Sequence, residues 1–215
     1  MNLTRKRIEE YYKDKFRQFG DTPKGVDWKD QESQNLRFKI IVDNMKLNKP
    51  FSILDVGCGT GALFEYIHRM FPDNKASYTG IDFVSEMIQR AREKFADFNN
   101  VTFLNQALEQ VPEKFDFVVS SGIFNVKNEI DNIMWNESML STLGLMFEKC
   151  RIALIFNALT NKVDFMEDRL FYSDPVYIFT YCRDRFSRFV KLDHSYPLYE
   201  YSVCVYRADF VNSLK

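Results

Sequence analysis

The residues of this chain best suited to chemistry form one run, Asp55-Val56-Gly57-Cys58-Gly59-Thr60-Gly61. Glycines at alternate positions let a backbone turn sharply and let a ligand rest against bare main chain. A dinucleotide-binding turn usually spaces its glycines as Gly-x-Gly-x-x-Gly, so that a pyrophosphate rests on the following helix N-terminus. Here the third glycine comes one residue early. Asp55, two residues before Gly57, would repel a pyrophosphate and suits a ligand of the opposite sign, one with an amine or another cationic centre.

Such a turn needs a strand before it and a helix after it. Residues 51–56 are a short apolar run, read as a buried strand, and a helix follows over 61–70. Further strands are expected at 78–82, 101–104, 115–120 and 152–157, with helices at 85–95 and 130–149. Strands alternating with helices imply right-handed crossovers and a doubly wound, mostly parallel α/β sheet. The runs 188–193 and 199–206, joined at Ser195-Tyr196-Pro197, read as an antiparallel hairpin that closes a sheet of seven strands. Two helices precede the sheet. The first covers about 3–19, with Ile8, Tyr11, Tyr12, Lys15 and Phe19 on one face. The second runs to about Met45 behind an Asp30 cap, with Leu36, Ile40, Ile41 and Met45 as its apolar face. The stretch 158–175 has weak periodicity and reads as a loop or a short helix. The whole reads as one domain, with N-terminal helices and a candidate lid over 1–47 and a sheet core over 51–215.

A ligand that lacks phosphate, carries a cationic sulfonium and bears a free amino group fits this turn, and S-adenosylmethionine is such a ligand. Ile53-Leu54-Asp55-Val56-Gly57-Cys58-Gly59-Thr60-Gly61 resembles the first motif of class I (Rossmann-like) S-adenosylmethionine-dependent methyltransferases. Tyr78-Thr79-Gly80-Ile81-Asp82 resembles the second, and Phe115-Asp116-Phe117-Val118-Val119-Ser120 the fourth-strand motif. The resemblance covers about residues 51–157 and implies that fold, that cofactor and methyl transfer. It implies that Gly57, Cys58, Gly59 and Gly61 line the methionine and ribose portion and that Asp55 faces the methionine amino group. Asp82 would accept from both ribose hydroxyls, which suits the two acceptor oxygens of a carboxylate. The plainer reading of Asp82 is a cap before Ser85. Phe83 and Met87 would cover the adenine, Met87 being as readily a core residue, and Ser120 completes the cofactor set. Family members often place an Asp after the third strand to bond the adenine amino group. This chain has Asn105-Gln106-Ala107-Leu108 there, so Gln106 or Asn105 would have to serve.

Methyl transfer is an in-line displacement that chiefly needs alignment in a dry pocket, and a hydroxyl acceptor gains from a base. The acceptor is expected across the ends of the fourth and fifth strands and the hairpin. His194 as base and Tyr196 are the candidates for catalysis, with Asp193 and Glu200 placed to tune the imidazole. Phe124, Asn125, Asn157 and Tyr199 are candidates for substrate contact. Trp28, in the loop Gly25-Val26-Asp27-Trp28, is either a lid over substrate or cofactor or a pin for the N-terminal helices. Arg37 would meet the cofactor carboxylate or lie on the surface, and His68 reads as a surface residue.

Composition narrows the partners. A net charge of -1 and a pI of about 6.2 do not call for nucleic acid. The four cysteines show no paired spacing, so neither a zinc site nor a disulfide framework is indicated, and no metal ligand set is expected. No apolar run approaches the roughly 20 residues that span a bilayer, so a cytoplasmic protein without membrane attachment is expected. The sequence lacks the Pro-Pro-aromatic step of DNA amino-methylating enzymes and the Pro-Cys of cytosine-C5 enzymes. A small-molecule or sugar-like acceptor, methylated on oxygen, is the leading expectation. The alternatives are a nucleic-acid or protein methyltransferase, a catalytically inactive methyltransferase-like binding subunit and, more remotely, an NAD-dependent oxidoreductase. The oligomeric state is not readable from these residues.

Overall fold

Among the described residues fourteen α-helices and strands occur, twelve of them in the order the periodicity implies and two more, after residue 174, that were not expected. The structure is a computed structural model that describes residues 3–45, 50–73 and 75–214, with the side chains of residues 3 and 4 left out. The expected boundary between residues 47 and 51 falls largely outside the described residues. Helices α1 (Leu3–Phe19) and α2 (Gln31–Asp43) lead into β1 (Ser52–Val56), α3 (Ala62–Met70), β2 (Ser77–Asp82), α4 (Ser85–Lys94) and β3 (Val101–Asn105). Then come β4 (Phe115–Ser120), α5 (Asn132–Lys149), β5 (Cys150–Leu159), α6 (Pro175–Arg185), β6 (Val190–Asp193), β7 (Glu200–Tyr206) and α7 (Ala208–Asn212). The seven strands form one mixed sheet in the order β3-β2-β1-β4-β5-β7-β6. The chain divides into two compact units, Met1–Val111 and Pro112–Lys215.

In the first unit β1, β2 and β3 pair in parallel, Asp55 beside Gly80 and Gly80 beside Phe103. Helix α3 buries Leu63, Phe64, Tyr66 and Ile67. Phe64 anchors a cluster of rings, 4.9 Å from Phe95 and 5.3 Å from Tyr78. Gly61 precedes α3 with φ +81°, and a Cβ there would stand 2.7 Å from Phe103 and 2.8 Å from Phe95. Its role is to bring the helix start onto these rings. Gly61→Ala is therefore expected to lower stability by about 2–4 kcal/mol, through overpacking and a left-handed backbone. An unchanged thermal midpoint would contradict this.

Asp30 caps α2 as expected, accepting from the Ser33 N–H at 2.8 Å. Ile40, Ile41 and Met45 are buried as expected, but Leu36 is only half-buried and the buried face extends to Phe38 and Arg37. The reason lies outside the helix, because the Arg37 guanidinium stacks 3.9 Å over the Trp28 ring.

In the second unit β4 and β5 are parallel, and β7 lies antiparallel between β5 and β6. Strand β5 is longer than expected because β7 pairs along it as far as Leu159 beside Glu200. Helix α6 was not expected. Asp174 caps it through the N–H groups of Val176 and Tyr177 at 2.8 and 3.0 Å, Pro175 starts it, and Pro175, Ile178 and Cys182 form its buried stripe. The preceding stretch is a loop, fastened by bridges between Thr160 and Ser173 and between Val126 and Leu170. All four cysteines are buried and reduced. Among the described residues no helix is long and apolar enough to cross a membrane, and no cluster of ligands for a metal occurs.

Candidate active site

The glycine turn in the first unit is buckled onto the end of β2. The N–H groups of Gly57 and Cys58 donate to the Ile81 carbonyl at 2.9 and 3.1 Å. The Gly59 N–H donates to Asp82 Oδ2 at 3.0 Å, and the Val84 N–H donates to Asp82 Oδ1 at 2.9 Å. Asp82 is thus both a local cap and a clasp for the turn. Burial raises its carboxyl above the ordinary range, against these backbone donors and the charge of Arg5.

Asp55 lies buried in β1 and accepts a hydrogen bond from the Tyr78 hydroxyl. Burial pushes its carboxyl up to about 7, the Tyr78 hydroxyl opposes this, and the nearby Asp82 charge adds to it. Tyr78 was not singled out from sequence. Its place on β2, two residues before Gly80, which lies level with Asp55 on β1, puts it on the same face of the sheet and is the signal that was available.

Gly59 has more room than Gly61: a Cβ there would meet only Val26 at 3.5 Å and Met87 at 3.9 Å. Met87 is buried and faces Gly59, so it is a core residue that also borders the turn. Gly61 and the Cys58 side chain are closely packed. The Cys58 sulfur presses on β2 at Gly80, 2.7 Å from where a Cβ would stand, and burial drives its thiol well up in pKa. Only the backbone of Cys58 remains for a ligand. Phe83, next after Asp82, is half-buried beneath the Arg5 guanidinium at 5.3 Å. Asn105 is committed to the Asp82 carbonyl at 3.0 Å, while Gln106 is half-buried.

The N-terminal segment is fastened to this turn. Thr60 donates to Asp21 at 2.6 Å, and Arg90 pairs with Asp21 at 3.1 Å. Asp27 holds the loop to α1 through Tyr11 and Lys15, each at 2.9 Å. Trp28 is pinned by Arg37. Arg37 is 8 % exposed, which corrects the expected surface position.

In the second unit a buried polar group gathers at the carboxyl ends of β4 and β5. The Gly122 N–H donates to Asn157 Oδ1 at 2.9 Å, and Asn157 Nδ2 donates to Glu200 at 2.8 Å. Glu200 is 1 % exposed. The Ser120 and Ser121 hydroxyls are buried with no hydrogen-bond partner among the described residues. Ser120 and Asn157 were singled out from sequence, and Glu200 was named only as a residue placed to tune His194.

The other acceptor-side candidates are placed differently. Phe124 packs its edge on Phe156 at 5.9 Å, and its carbonyl accepts from Trp135 Nε1 at 2.9 Å. Asn125 is buried and accepts from the Leu159 N–H at 3.2 Å. These two side chains belong to the packing of the second unit. Tyr196 shares a hydrogen bond with Ser202 at 2.9 Å. Tyr199 is 56 % exposed, and His194 is exposed on the link between β6 and β7. His68 is exposed as expected, its ring 4.7 Å from Phe98.

Residues 53–139 match the family described as a methyltransferase domain. The Mycobacterium tuberculosis protein Rv1506c, which carries a methyltransferase name, is 39 % identical over 162 residues, covering 74 % of this chain and 95 % of that protein. A Bacillus anthracis malonyl-[acyl-carrier protein] O-methyltransferase is 34 % identical over 91 residues, covering 41 % of this chain and 33 % of that one. The solved magnesium protoporphyrin IX methyltransferase of Synechocystis PCC 6803 shares the fold at a TM-score of 0.68 and 16 % identity, covering 97 % of this chain and 99 % of that one. With a near-full-length relative, a matching domain and the motif-bearing sheet in agreement, the chain belongs to the class I S-adenosylmethionine-dependent methyltransferases.

Proposed function

We propose that the chain transfers the methyl group of S-adenosylmethionine to an oxygen atom of a small-molecule acceptor. The observation that carries the cofactor part of this reading is Asp82, an acid built into the glycine turn between the Gly59 and Val84 N–H groups. Each carboxylate oxygen keeps a second lone pair, enough for a ribose diol. Gly57 and the open side of Gly59 would take the methionine and ribose backbone, Phe83 and Met87 the adenine. Asp55 would hold the amino group, a charge that also disfavours the pyrophosphate of NAD.

On the acceptor side we assign the base to Glu200 rather than to the exposed His194. Asn157 holds the Glu200 carboxyl in a buried polar group, and the Ser120 and Ser121 hydroxyls lack partners there. Buried hydroxyls without partners fit a polar ligand. In the transfer, an acceptor oxygen bonds to the methyl carbon, the carbon–sulfur pair returns to sulfur, and the hydroxyl proton passes to Glu200.

Isothermal titration with S-adenosylmethionine, S-adenosylhomocysteine and NAD tests the cofactor, followed by a radiolabelled methyl screen of hydroxylated small molecules. Binding of the first two and methylation of an alcohol or phenol supports the reading. Binding of NAD alone overturns it, cofactor binding with labelling of only protein or nucleic acid moves the acceptor, and cofactor binding without transfer favours a binding subunit.

The Asp55 carboxyl, pushed up to about 7, gives a pH signature. Below that value the acid is protonated and must lose its proton to hold an ammonium, so affinity rises with pH. S-adenosylhomocysteine is expected to bind about tenfold more tightly at pH 8 than at pH 6, with Asp55→Asn flattening the profile. A flat wild-type profile would remove Asp55 from the amino group.

A further inference from the structure

The adenosine end of the site lacks the acid that this class often places after the third strand, and the Asn105 amide in that region is committed to the Asp82 carbonyl at 3.0 Å. We propose that Arg5, on α1, is the hydrogen-bond donor that recognises the adenosine half of the cofactor. The inference rests on the assignment of Asp82 and Phe83 to that half.

Three observations converge on Arg5. Its guanidinium lies 5.3 Å over the Phe83 ring, the residue directly after Asp82. Its Nε is buried and has no acceptor among the described residues. A buried N–H without an acceptor is costly, and a ligand atom that accepts from it removes that cost. Its charge acts on Asp82, holding that carboxyl down against burial. The position is set by the helix rather than by chance contact, because two and three turns further along α1, Lys13 and Arg17 both pair with Glu86 at the start of α4, at 3.2 and 3.1 Å.

The chemistry matches. Adenosine presents acceptors along its edge, the ring nitrogens and the ribose oxygens. A guanidinium offers donors in one plane and stacks on aromatic faces, so it can lie against Phe83 and donate sideways. A carboxylate at this end would read the exocyclic amine; a guanidinium reads the ring and sugar acceptors instead. A helix outside the parallel strands thereby does what the family commonly assigns to the third strand.

Titration calorimetry with S-adenosylhomocysteine and with 5′-methylthioadenosine, which lacks the amino-acid portion, tests this. Arg5→Ala is expected to weaken both probes by the same factor, about tenfold or more, and Arg5→Lys, which keeps charge but not the fork, to recover part of the loss. Thermal melts establish that both variants are folded. Equal binding by wild type and Arg5→Ala overturns the proposal. A loss confined to S-adenosylhomocysteine also overturns it, placing Arg5 on the methionine carboxylate. If the wild type bound neither probe, the assignment of the glycine turn would fall and this proposal with it; wild-type binding undiminished by Asp82→Ala would remove its premise alone.

Discussion

Replacing Asp82 with alanine is expected to weaken S-adenosylhomocysteine binding at least a hundredfold and to lower the stability of the unliganded protein as well. The two effects have separate causes. Loss of the carboxylate removes acceptors from the ribose hydroxyls, charge-assisted bonds worth about 1.5–3 kcal/mol each. It also strands the Gly59 and Val84 N–H groups, which Asp82 holds at 3.0 and 2.9 Å. Buried donors left unpaired cost about 1–3 kcal/mol each, so a stability loss of about 2–6 kcal/mol accompanies the binding defect. Calorimetry and thermal unfolding measure the two separately. A variant that loses stability but binds normally would leave Asp82 as a cap alone, and one that keeps both would contradict the geometry of the turn. Asp82→Asn discriminates further, because one amide oxygen can replace only one of the two acceptors.

The second large effect is expected at Glu200. Glu200→Gln preserves shape and can still accept from Asn157, but it cannot take a proton. The methyl-transfer rate to a hydroxyl acceptor should fall about 10²–10⁴-fold, the usual worth of a positioned base, with cofactor affinity unchanged. Single-turnover transfer from labelled S-adenosylmethionine reads the rate, and calorimetry reads the affinity. His194→Ala should leave the rate within about twofold, since the imidazole stands exposed outside the Asn157–Glu200 pair. A rate that follows His194 and ignores Glu200 would reverse the assignment.

What the sequence disclosed depended on whether the controlling interactions were local. The glycine run, Asp55 and Asp82 were legible because a turn, a strand end and a carboxylate announce themselves within a few residues. The terminal hairpin was legible from alternation, but its second strand lying inside the sheet was not. That insertion buries Glu200, which by position alone looks like the polar edge of a turn. Helix α6 was overlooked because aromatic and basic residues blur its stripe; its local sign was the Asp174-Pro175 start. The burial of Arg37 on α2 was illegible for another reason. Arg37 is buried by a ring in a preceding loop, a pairing that helical periodicity cannot reveal. Gly61 and Cys58 read as ligand residues, and their close packing against Phe95, Phe103 and Gly80, which lie far from them in sequence, was not legible.

Asp55 and Asp82 place two acids out of water on adjacent strands, burial making both reluctant to ionise and the Asp82 charge adding to the reluctance of Asp55. On the proposed reading such a site has an appetite for positive charge that water does not satisfy. The donor arrives with two positive centres, its ammonium and its sulfonium, and leaves with one, because transfer neutralises the sulfur. The reaction thus weakens the enzyme's hold on its own product, and exchange of spent for fresh donor follows from the charge balance of the pocket. Two carboxylates that burden the empty fold would therefore help to set the direction of the catalytic cycle.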